Sequence, residues 1–420
     1  MARTRASRKF HVWLRTGSTI QGDWSLKLYL NALGVVNPLG WGKRQVASNL
    51  FAGSRYGLVN RSDLLPDRTV RVGSVTGALP VLPERLDHLD CRNNRLTLAA
   101  LRQIEQDTRG ARDRFGSDRI AVIMGTSTSG ISDAESAIAC RFKSNVWPRD
   151  FRFRGQELGS LARFVAEYFE LAGPTYTIST ACSSSAKVFA SAQRLMELGV
   201  CDAAVVGGVD TLCRMTVGGF DSMQALAKDY CNPFSINRDG INIGEGAAVF
   251  LMTSQEAAVS LLGVGESSDA YHVSAPDPEG KGAELAMRRA LEAARLTAND
   301  IGYINLHGTA TELNDPMEAR AVNAIFGAET LCSSSKALTG HMLGAAGANE
   351  AAFLWLMLEP DFASGTVPPH VWDGEADPAI ARLNFASASM RVEDTQRLAV
   401  LSNSFAFGGS NASVVLGFGW

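Results

Sequence analysis

The segment at residues 203–208, an unbroken run of alanine, valine and glycine, constrains the fold of this chain most, because it contains no polar side chain. A strand of this composition is typically buried on both faces, as in sheets that helices cover on both sides. Residues 245–252, apolar after Glu245, form a second strand-like segment. Helix-like segments with apolar residues three or four positions apart alternate with the strand-like ones. This alternation predicts an α/β fold with much of its sheet enclosed by helices.

The same pattern begins again in the second part of the chain. A polar turn, a Gly/Ala-rich helix start and a long apolar helix at residues 333–358 resemble the region around Cys182. We therefore predict two similar halves, residues 28–254 and 255–420, each of which contributes one helix to a shared core. Residues 1–27 are basic but lack the apolar core of a signal peptide, so we expect a flexible arm.

The composition argues against several classes of partner. The chain has 420 residues, 46% of them hydrophobic, which is enough for one large core or two fused ones. A net charge of −3 gives no reason to expect nucleic acid or a membrane surface as the main partner, and no apolar run is long enough to predict a membrane span. Seven cysteines without CxxC or Cys/His zinc spacing predict reduced thiols, no metal site and a cytoplasmic location.

Cys182 is the candidate nucleophile of the first half. It lies between a β-prone segment at residues 176–178 and a helix-like segment that runs to about residue 198, so we place it at a strand-to-helix turn. At such a turn, free backbone N–H groups and the helix dipole face the sulfur and favour a thiolate, the reactive form of cysteine. A buried, inert cysteine is the alternative.

Two histidines stand out by their positions. His307 follows a strand-like segment at residues 303–306, and the carboxyl end of a strand is where α/β folds place reactive groups. His341 lies at the predicted start of the second core helix, where the helix dipole lowers the pKa of an imidazole and keeps it neutral. Either histidine alone could be structural, but the combination with Cys182 favours catalysis.

A third candidate is the loop at residues 403–411, which contains Gly408 and Gly409. Two adjacent glycines can adopt unusual backbone angles and present backbone N–H groups, as an oxyanion hole requires. A tight turn before the last strand is the alternative.

Together these motifs resemble those of the elongating β-ketoacyl-acyl carrier protein synthases of types I and II. The matching segments occur in the same order along the chain and are residues 180–186, 237–246, 267–272, 307–309, 336–347 and 403–411. The resemblance extends from about residue 28 to the end of the chain. It implies the thiolase fold, with duplicated halves in a five-layer αβαβα sandwich, and a homodimer without cofactor or metal.

The resemblance also implies a reaction. Cys182 takes an acyl group from an acyl carrier protein as a thioester, and malonyl-carrier protein then enters and loses CO₂. His307 and His341 hydrogen-bond the malonyl thioester carbonyl and stabilise the enolate, which attacks the acyl group and lengthens it by two carbons. The backbone N–H groups of Cys182 and Phe407 form the oxyanion hole.

Further residues have supporting roles by the same resemblance. Phe405 and Phe407 belong to the gate of the acyl pocket, and Thr128 falls near the part of that pocket at the dimer contact. Lys336 matches a lysine that supports the active site or serves as a structural ion-pair partner, and Glu350 is a candidate carboxylate partner for the second histidine. Because the carrier protein is acidic, we expect a basic rim near the entrance, with the candidates Arg141, Lys143, Arg149, Arg152 and Arg154.

Related activities fit the motifs less well. A thiolase needs a second cysteine in the glycine loop, which residues 405–409 do not contain, and an initiating synthase has a Cys-His-Asn set. A non-catalytic, chain-length-factor-like partner in a ketosynthase heterodimer usually lacks the nucleophile, and a pure scaffold needs none of these side chains. For the pathway, residues 28–37 and 181–190 resemble the accessory synthases of bacterial aryl-polyene clusters, with ordinary fatty-acid elongation as the alternative and polyketide synthesis also open.

Overall fold

The computed structural model describes residues 26–362, 365–392 and 396–420. Residues 1–25 of the predicted basic arm lie outside the described residues. The first strand starts at Leu28, where the sequence predicts that regular structure begins. Within the described residues, no helix combines the length and the apolar character that crossing a membrane requires.

The strands and helices are numbered here in chain order. The strands are β1 (Leu28–Asn37), β2 (Gly40–Trp41), β3 (Leu58–Arg61), β4 (Val70–Gly73), β5 (Ile120–Gly125), β6 (Thr175–Ile178), β7 (Ala203–Asp210), β8 (Ile243–Gly244), β9 (Gly246–Thr253), β10 (Val259–Ser268), β11 (Ile301–Asn305), β12 (Leu331–Ser333), β13 (Asn384–Phe385), β14 (Leu398–Ala406) and β15 (Ser410–Phe418). The α-helices are α1 (Gly42–Phe51), α2 (Arg92–Leu101), α3 (Glu105–Phe115), α4 (Ile131–Ser144), α5 (Ser160–Phe169), α6 (Ser184–Glu197), α7 (Arg214–Ser222), α8 (Lys281–Ala294), α9 (Asn314–Phe326), α10 (Lys336–Thr339) and α11 (Ala346–Leu358).

Most strands belong to one 12-stranded sheet with the order β13-β12-β11-β14-β15-β10-β1-β9-β7-β5-β6, to which β2 adds by pairing with β1. The order β1-β9-β7-β5-β6 is repeated as β10-β15-β14-β11-β12. In both sets the first two pairings are antiparallel and the last two are parallel. The predicted duplication is therefore confirmed as a repeated strand topology. The two sets join where β1 pairs with β10 through Leu28 and Leu261.

Helices α6 and α11 form the central layer of the molecule. They contact each other, and each contacts strands of both sets: α6 packs on β5 and β10, and α11 packs on β9 and β14. Helices α2 and α5 cover the outer face of the first set, while α8 and α9 cover the second. A large buried apolar cluster surrounds the central helices, and a further cluster lies under each outer pair. This is the five-layer arrangement that the family resemblance implies.

The two central helices come close because small residues meet between them. All of α11 is buried, which accounts for its almost uninterrupted apolar sequence. A Cβ atom on Gly347 would lie only 2.8 Å from the Cβ atom of Ala186 on α6, well inside the ~3.5–4.0 Å of packed carbon atoms. This approach brings the turn before α6 close to the segment before α11.

Candidate active site

Cys182 lies, as predicted, in the turn between β6 and α6. The preceding residue, Ala181, has a φ angle of +51°, a left-handed conformation that strains a residue with a Cβ atom. The Ser184 hydroxyl donates to the Ala181 carbonyl at 2.6 Å and holds this turn closed. Cys182 is 5% exposed and lines a cavity of about 650 Å³.

The two predicted histidines reach the same cavity from the second half of the chain. His341 Nε2 lies 3.0 Å from Cys182 Sγ. The ring centroids of His307 and His341 are 5.3 Å apart, and the rings are nearly perpendicular. One sulfur or nitrogen atom from each of the three side chains lies within 4.8 Å of the others. The structure thus brings together the three side chains predicted to be catalytic.

A buried carboxylate holds the backbone of His307 in place after β11. Glu318 on α9 accepts the backbone N–H of His307 at 2.7 Å and that of Gly308 at 2.7 Å. Burial raises the pKa of Glu318 to about 7, although both N–H donors act to lower it. Sequence reasoning missed this residue. The available signal was a glutamate among apolar neighbours in α9, since such a side chain is seldom buried without partners.

Backbone contacts, rather than a helix, hold His341. Its N–H donates to the Asn242 carbonyl at 2.6 Å, and its carbonyl accepts the Gly244 N–H at 2.8 Å. The predicted position at the start of the core helix is wrong, because α11 begins only at Ala346. The predicted neutral state is confirmed for another reason: burial, followed by the charge of Lys336, lowers the pKa of His341 well below its ordinary value.

Burial also decides the protonation state of Cys182. It raises the pKa of this thiol to about 12, while the charge of Lys336 and the Phe407 N–H, which donates to the sulfur, act to lower it. The prediction of a resting thiolate is therefore wrong, because desolvation of the sulfur outweighs the groups that act to lower its pKa. The resting nucleophile is a thiol and needs a proton acceptor, and His341 Nε2 lies at the required distance.

Lys336 and Glu350 form a buried ion pair beside the histidines. Lys336 Nζ lies 2.5 Å from Glu350 Oε1, and each side chain is 2% exposed. The prediction that Glu350 is the partner of His341 is wrong, because its carboxylate accepts from Lys336 and His341 Nδ1 has no hydrogen-bond partner among the described residues. The positive charge of Lys336 lowers the pKa of Cys182 and of both histidines.

The glycine loop supplies a backbone donor to the site. Gly408 and Gly409 have φ angles of +82° and +71°, which glycine adopts without strain. This turn directs the Phe407 N–H at Cys182 Sγ. A donor in this position is suited to an oxyanion that forms on a carbonyl bonded to the sulfur.

The three residues predicted for the gate and the acyl pocket differ in exposure. The Phe407 side chain is 36% exposed and contacts Phe220, with 5.5 Å between ring centroids. Phe405 is buried, with its ring 6.1 Å from that of His307, and both phenylalanines line the cavity. Thr128 does not line the cavity that holds the cysteine; it is fully buried and donates its hydroxyl to an aspartate at 2.9 Å. Its role at a dimer contact stays a prediction.

The predicted basic residues between positions 141 and 154 do not line this cavity. They occur on α4 and the segment after it, together with Phe142, Trp147 and Phe153, which are 86%, 48% and 65% exposed. At the cavity itself, Arg238 is paired with Asp377 at 2.6 Å. A rim built from the five predicted residues therefore does not surround the cavity of a single chain.

The three site side chains are also a possible donor set for a soft divalent ion, since a thiolate and two imidazoles are ligand types of zinc. Two features oppose such a role. Metal-bound histidines usually donate their second N–H to an acceptor, but the Nδ1 atoms of both His307 and His341 have no partner within the described part of the chain. The charge of Lys336 also repels a cation. That the protein uses no metal and no cofactor stays a prediction.

Comparison with protein families finds matches in both halves of the chain. The family model "Beta-ketoacyl synthase, N-terminal domain" matches residues 82–258, and "Beta-ketoacyl synthase, C-terminal domain" matches residues 258–371. The 3-oxoacyl-[acyl-carrier-protein] synthase 2 of Coxiella burnetii is 30% identical over 423 residues, which cover 93% of this chain and 98% of that protein. The protein of the same name from Rhizobium meliloti is 34% identical over 310 residues, 68% of this chain and 70% of the relative.

Solved structures resemble the chain over nearly its whole length. A chain from the complex of a ketosynthase (ApeO) with its chain length factor (ApeC) from Xenorhabdus doucetiae superimposes with a TM-score of 0.89 at 44% identity, and the match covers 95% of this chain and 99% of that chain. A chain from the ishigamide ketosynthase/chain length factor gives a TM-score of 0.83 at 26% identity, with 94% and 99% covered.

Proposed function

The chain belongs to the β-ketoacyl synthase family, and from this premise we propose that it condenses a malonyl unit with an acyl group carried on Cys182, with loss of CO₂. Both substrates are thioesters of an acyl carrier protein, the carrier that the names of the curated relatives contain. The observation that carries the proposal is the 3.0 Å contact between Cys182 Sγ and His341 Nε2, with His307 in the same cavity.

The first step in this proposal is acyl transfer to Cys182. The sulfur attacks the thioester carbonyl, the S–H bond breaks, and His341 Nε2 accepts the proton and passes it to the carrier thiolate that leaves. Because burial keeps the resting group a thiol, this proton acceptor is essential to the attack. The Phe407 N–H, directed at the sulfur, donates to the oxyanion of the tetrahedral intermediate.

The second step begins when the malonyl thioester occupies the cavity. His307 and His341 donate N–H groups to its carbonyl, the bond to the carboxylate breaks, CO₂ leaves, and the electron pair forms an enolate. The low pKa of both imidazoles keeps them neutral donors, and the charge of Lys336 favours the developing negative charge. The enolate carbon then attacks the acyl carbonyl, the C–S bond breaks, and the Cys182 thiolate that leaves takes a proton from water.

His341 has two tasks in this scheme. Its Nε2 accepts a proton during acyl transfer and carries the donated hydrogen during decarboxylation. For the second task, the proton that Nδ1 holds during acyl transfer must be replaced by one on Nε2 before the malonyl thioester reacts.

We propose that the exposed apolar surface on and after α4 packs against a second subunit. Phe142, Trp147 and Phe153 are all exposed there, and clusters of large apolar side chains on a surface usually mark protein contacts. Two of the similar solved structures are of a ketosynthase with a chain length factor, which supports a heterodimer beside the homodimer expected from the sequence. In this arrangement, the basic residues of the same segment lie at the edge of the subunit contact or bind a carrier protein.

For the pathway, we propose an accessory polyene or polyketide role, in the aryl-polyene branch, over ordinary fatty-acid elongation. The 44% identity to a chain of the Xenorhabdus doucetiae ketosynthase and chain length factor complex, compared with 30% and 34% for two 3-oxoacyl synthases, supports a ketosynthase with such a partner. The aryl-polyene branch rests on the resemblance of residues 28–37 and 181–190 to synthases of those clusters.

All seven cysteines are unpaired, which supports a reducing, cytoplasmic setting.

The alternative function is that of a non-catalytic chain-length-factor-like subunit. One observation supports this alternative: the similar structures contain both a ketosynthase and a chain length factor. The cysteine in contact with an imidazole favours the catalytic role, because a purely structural partner has no use for this pair.

The test is to incubate the protein with malonyl-carrier protein and a panel of acyl-carrier proteins and to weigh the products by mass spectrometry. The expected product carries two more carbons and a 3-oxo group. Cys182→Ala should abolish condensation but retain malonyl decarboxylation, because both histidines remain. The catalytic proposal would be excluded if the wild-type protein made no condensed product, either alone or with a partner subunit whose own nucleophile has been removed.

A further inference from the structure

A buried carboxylate at the end of β7 accepts hydrogen bonds from the loop that follows β5. Asp210 is fully buried, and its Oδ1 atom accepts the Thr126 hydroxyl at 2.6 Å, the Ser127 N–H at 2.8 Å and the Thr128 N–H at 2.9 Å. Its Oδ2 atom accepts the Ser127 hydroxyl at 2.5 Å. Hydrogen bonds from three consecutive residues leave this loop very little freedom to move.

The same loop touches the chain segment that follows His341. The Gly344 N–H donates to Ser127 Oγ at 3.3 Å, so a relay runs from Gly344 through the Ser127 hydroxyl to Asp210. A Cβ atom on Gly344 would lie 2.7 Å from the Ser127 nitrogen and 2.9 Å from Asp210 Oδ2. Only glycine therefore fits against this loop, and the contact joins the first half of the molecule to the second.

One of the two residues between His341 and this contact has a strained backbone. Leu343 has a φ angle of +47°, a left-handed conformation that is unfavourable for a residue with a Cβ atom. Its side chain is 5% exposed and packs in an apolar cluster with Leu212 and Ile243. A strained residue persists only where its surroundings hold it, and such residues concentrate at functional sites.

We propose that the relay Asp210–Ser127–Gly344 is a positioning device for His341. It holds the turn that contains Leu343 and thereby keeps His341 Nε2 at 3.0 Å from Cys182 Sγ. None of the three relay residues touches the reacting atoms, so their effect on geometry passes through the imidazole, while the charge of Asp210 also acts directly on the thiol and raises the pKa of Cys182. The effect on thiol reactivity is independent of the proposed function, whereas the effect on condensation rests on it.

The test compares Ser127→Ala, which interrupts the relay, with Ser127→Thr, which retains a hydroxyl. The matched control is Ser260→Ala, which removes a buried hydroxyl that donates to the Gly417 carbonyl at 3.0 Å and takes no part in the relay. The readout is the rate of alkylation of Cys182 by iodoacetamide as a function of pH, measured by mass spectrometry on the peptide that contains it. Peptide resolution is needed because Cys140 is exposed and also reacts.

We expect Ser127→Ala to slow alkylation of Cys182 at neutral pH by about tenfold or more and to move its pH profile to higher pH, because a displaced imidazole no longer assists loss of the thiol proton. Ser127→Thr should restore the profile, and Ser260→Ala should retain that of the wild type. A wild-type profile for Ser127→Ala would overturn the proposal, as would an equal change in Ser260→Ala. If the profile changes as expected while the wild type condenses no carrier-bound substrate, the relay stands and the proposed function fails.

Discussion

His341 Nε2 lies 3.0 Å from Cys182 Sγ, although the two residues are 159 positions apart in the chain. The contact exists because α6 and α11, one from each half, pack against each other between the two strand sets. Neither half alone places a nucleophile beside an imidazole. The site is therefore a consequence of the duplicated architecture, and the predictions below concern the groups that keep it in place.

Replacing Lys336 by methionine should lower the free energy of unfolding by about 3–5 kcal/mol, because the Glu350 carboxylate would remain buried without its partner. The double variant Lys336→Met, Glu350→Gln should recover most of this loss, since it removes both charges. Urea unfolding of the two variants and the wild type measures the effect. A single variant as stable as the wild type would show that the two groups are not a charged pair.

Glu318→Gln should reduce malonyl decarboxylation at saturating substrate, because the amide offers one acceptor oxygen where two backbone N–H groups now bind. The backbone of His307 then loses one anchor, and a displaced imidazole lowers the rate by about tenfold or more. The apparent KM should change little, since Glu318 does not line the cavity. Glu292→Gln, on the exposed side of α8, is the matched control, and an equal loss there would contradict the assignment.

The two site histidines should make stability depend on pH below about 6.5. In the folded state burial keeps the pKa of both well below the ordinary 6.5, so the unfolded chain binds more protons as the pH falls through that value, and stability is lost. The double variant His307→Asn, His341→Asn should lose less stability than the wild type between about pH 6.5 and 5. Thermal or urea unfolding over this range measures the difference.

The unfolding experiment must compare the wild type with the double histidine variant at each pH. Glu318 acts in the opposite direction, because a pKa raised to about 7 makes the folded state the better proton acceptor, so stability is lost as the pH rises towards 7. This contribution is common to both proteins and cancels in the difference. Parallel pH profiles for the wild type and the double variant would contradict the neutral, buried state of the imidazoles.

Phe142→Asp should weaken the proposed subunit contact. This side chain is 86% exposed on α4, and a carboxylate in an apolar contact would be desolvated without a partner. Sedimentation should show a shift from dimer to monomer. Val81→Asp, at a position that is 72% exposed outside this surface, should leave the dimer intact. An unchanged dimer in Phe142→Asp would place the contact elsewhere.

Local patterns in the sequence predict much of this molecule. The turn at Cys182 and the enclosed strands follow from short runs of residue types, and the duplication follows from the repetition of those runs. Local patterns do not show which side chains become buried by segments that are distant in the sequence. The raised pKa of Cys182, the pairing of Lys336 with Glu350 and the carboxylate of Glu318 behind His307 all depend on contacts across the sheet or between helices.

The same limit explains the incorrect predictions. His341 was expected to owe its neutral state to a helix dipole, a local effect, but desolvation by both halves of the chain decides its pKa. Glu350 was assigned to His341 by spacing along the chain, yet the closer charge in space is Lys336. The role of Thr128 at a dimer contact is not among these incorrect predictions and stays a prediction, although its hydroxyl is bonded to Asp210.

The most direct test of the central claim is the mass of Cys182 after incubation of the wild-type protein with an acyl-carrier protein alone. The account predicts a mass increase equal to the acyl group, located on the peptide that contains Cys182 and discharged when malonyl-carrier protein is added. No acyl adduct, or an adduct on a different cysteine such as the exposed Cys140, would contradict it.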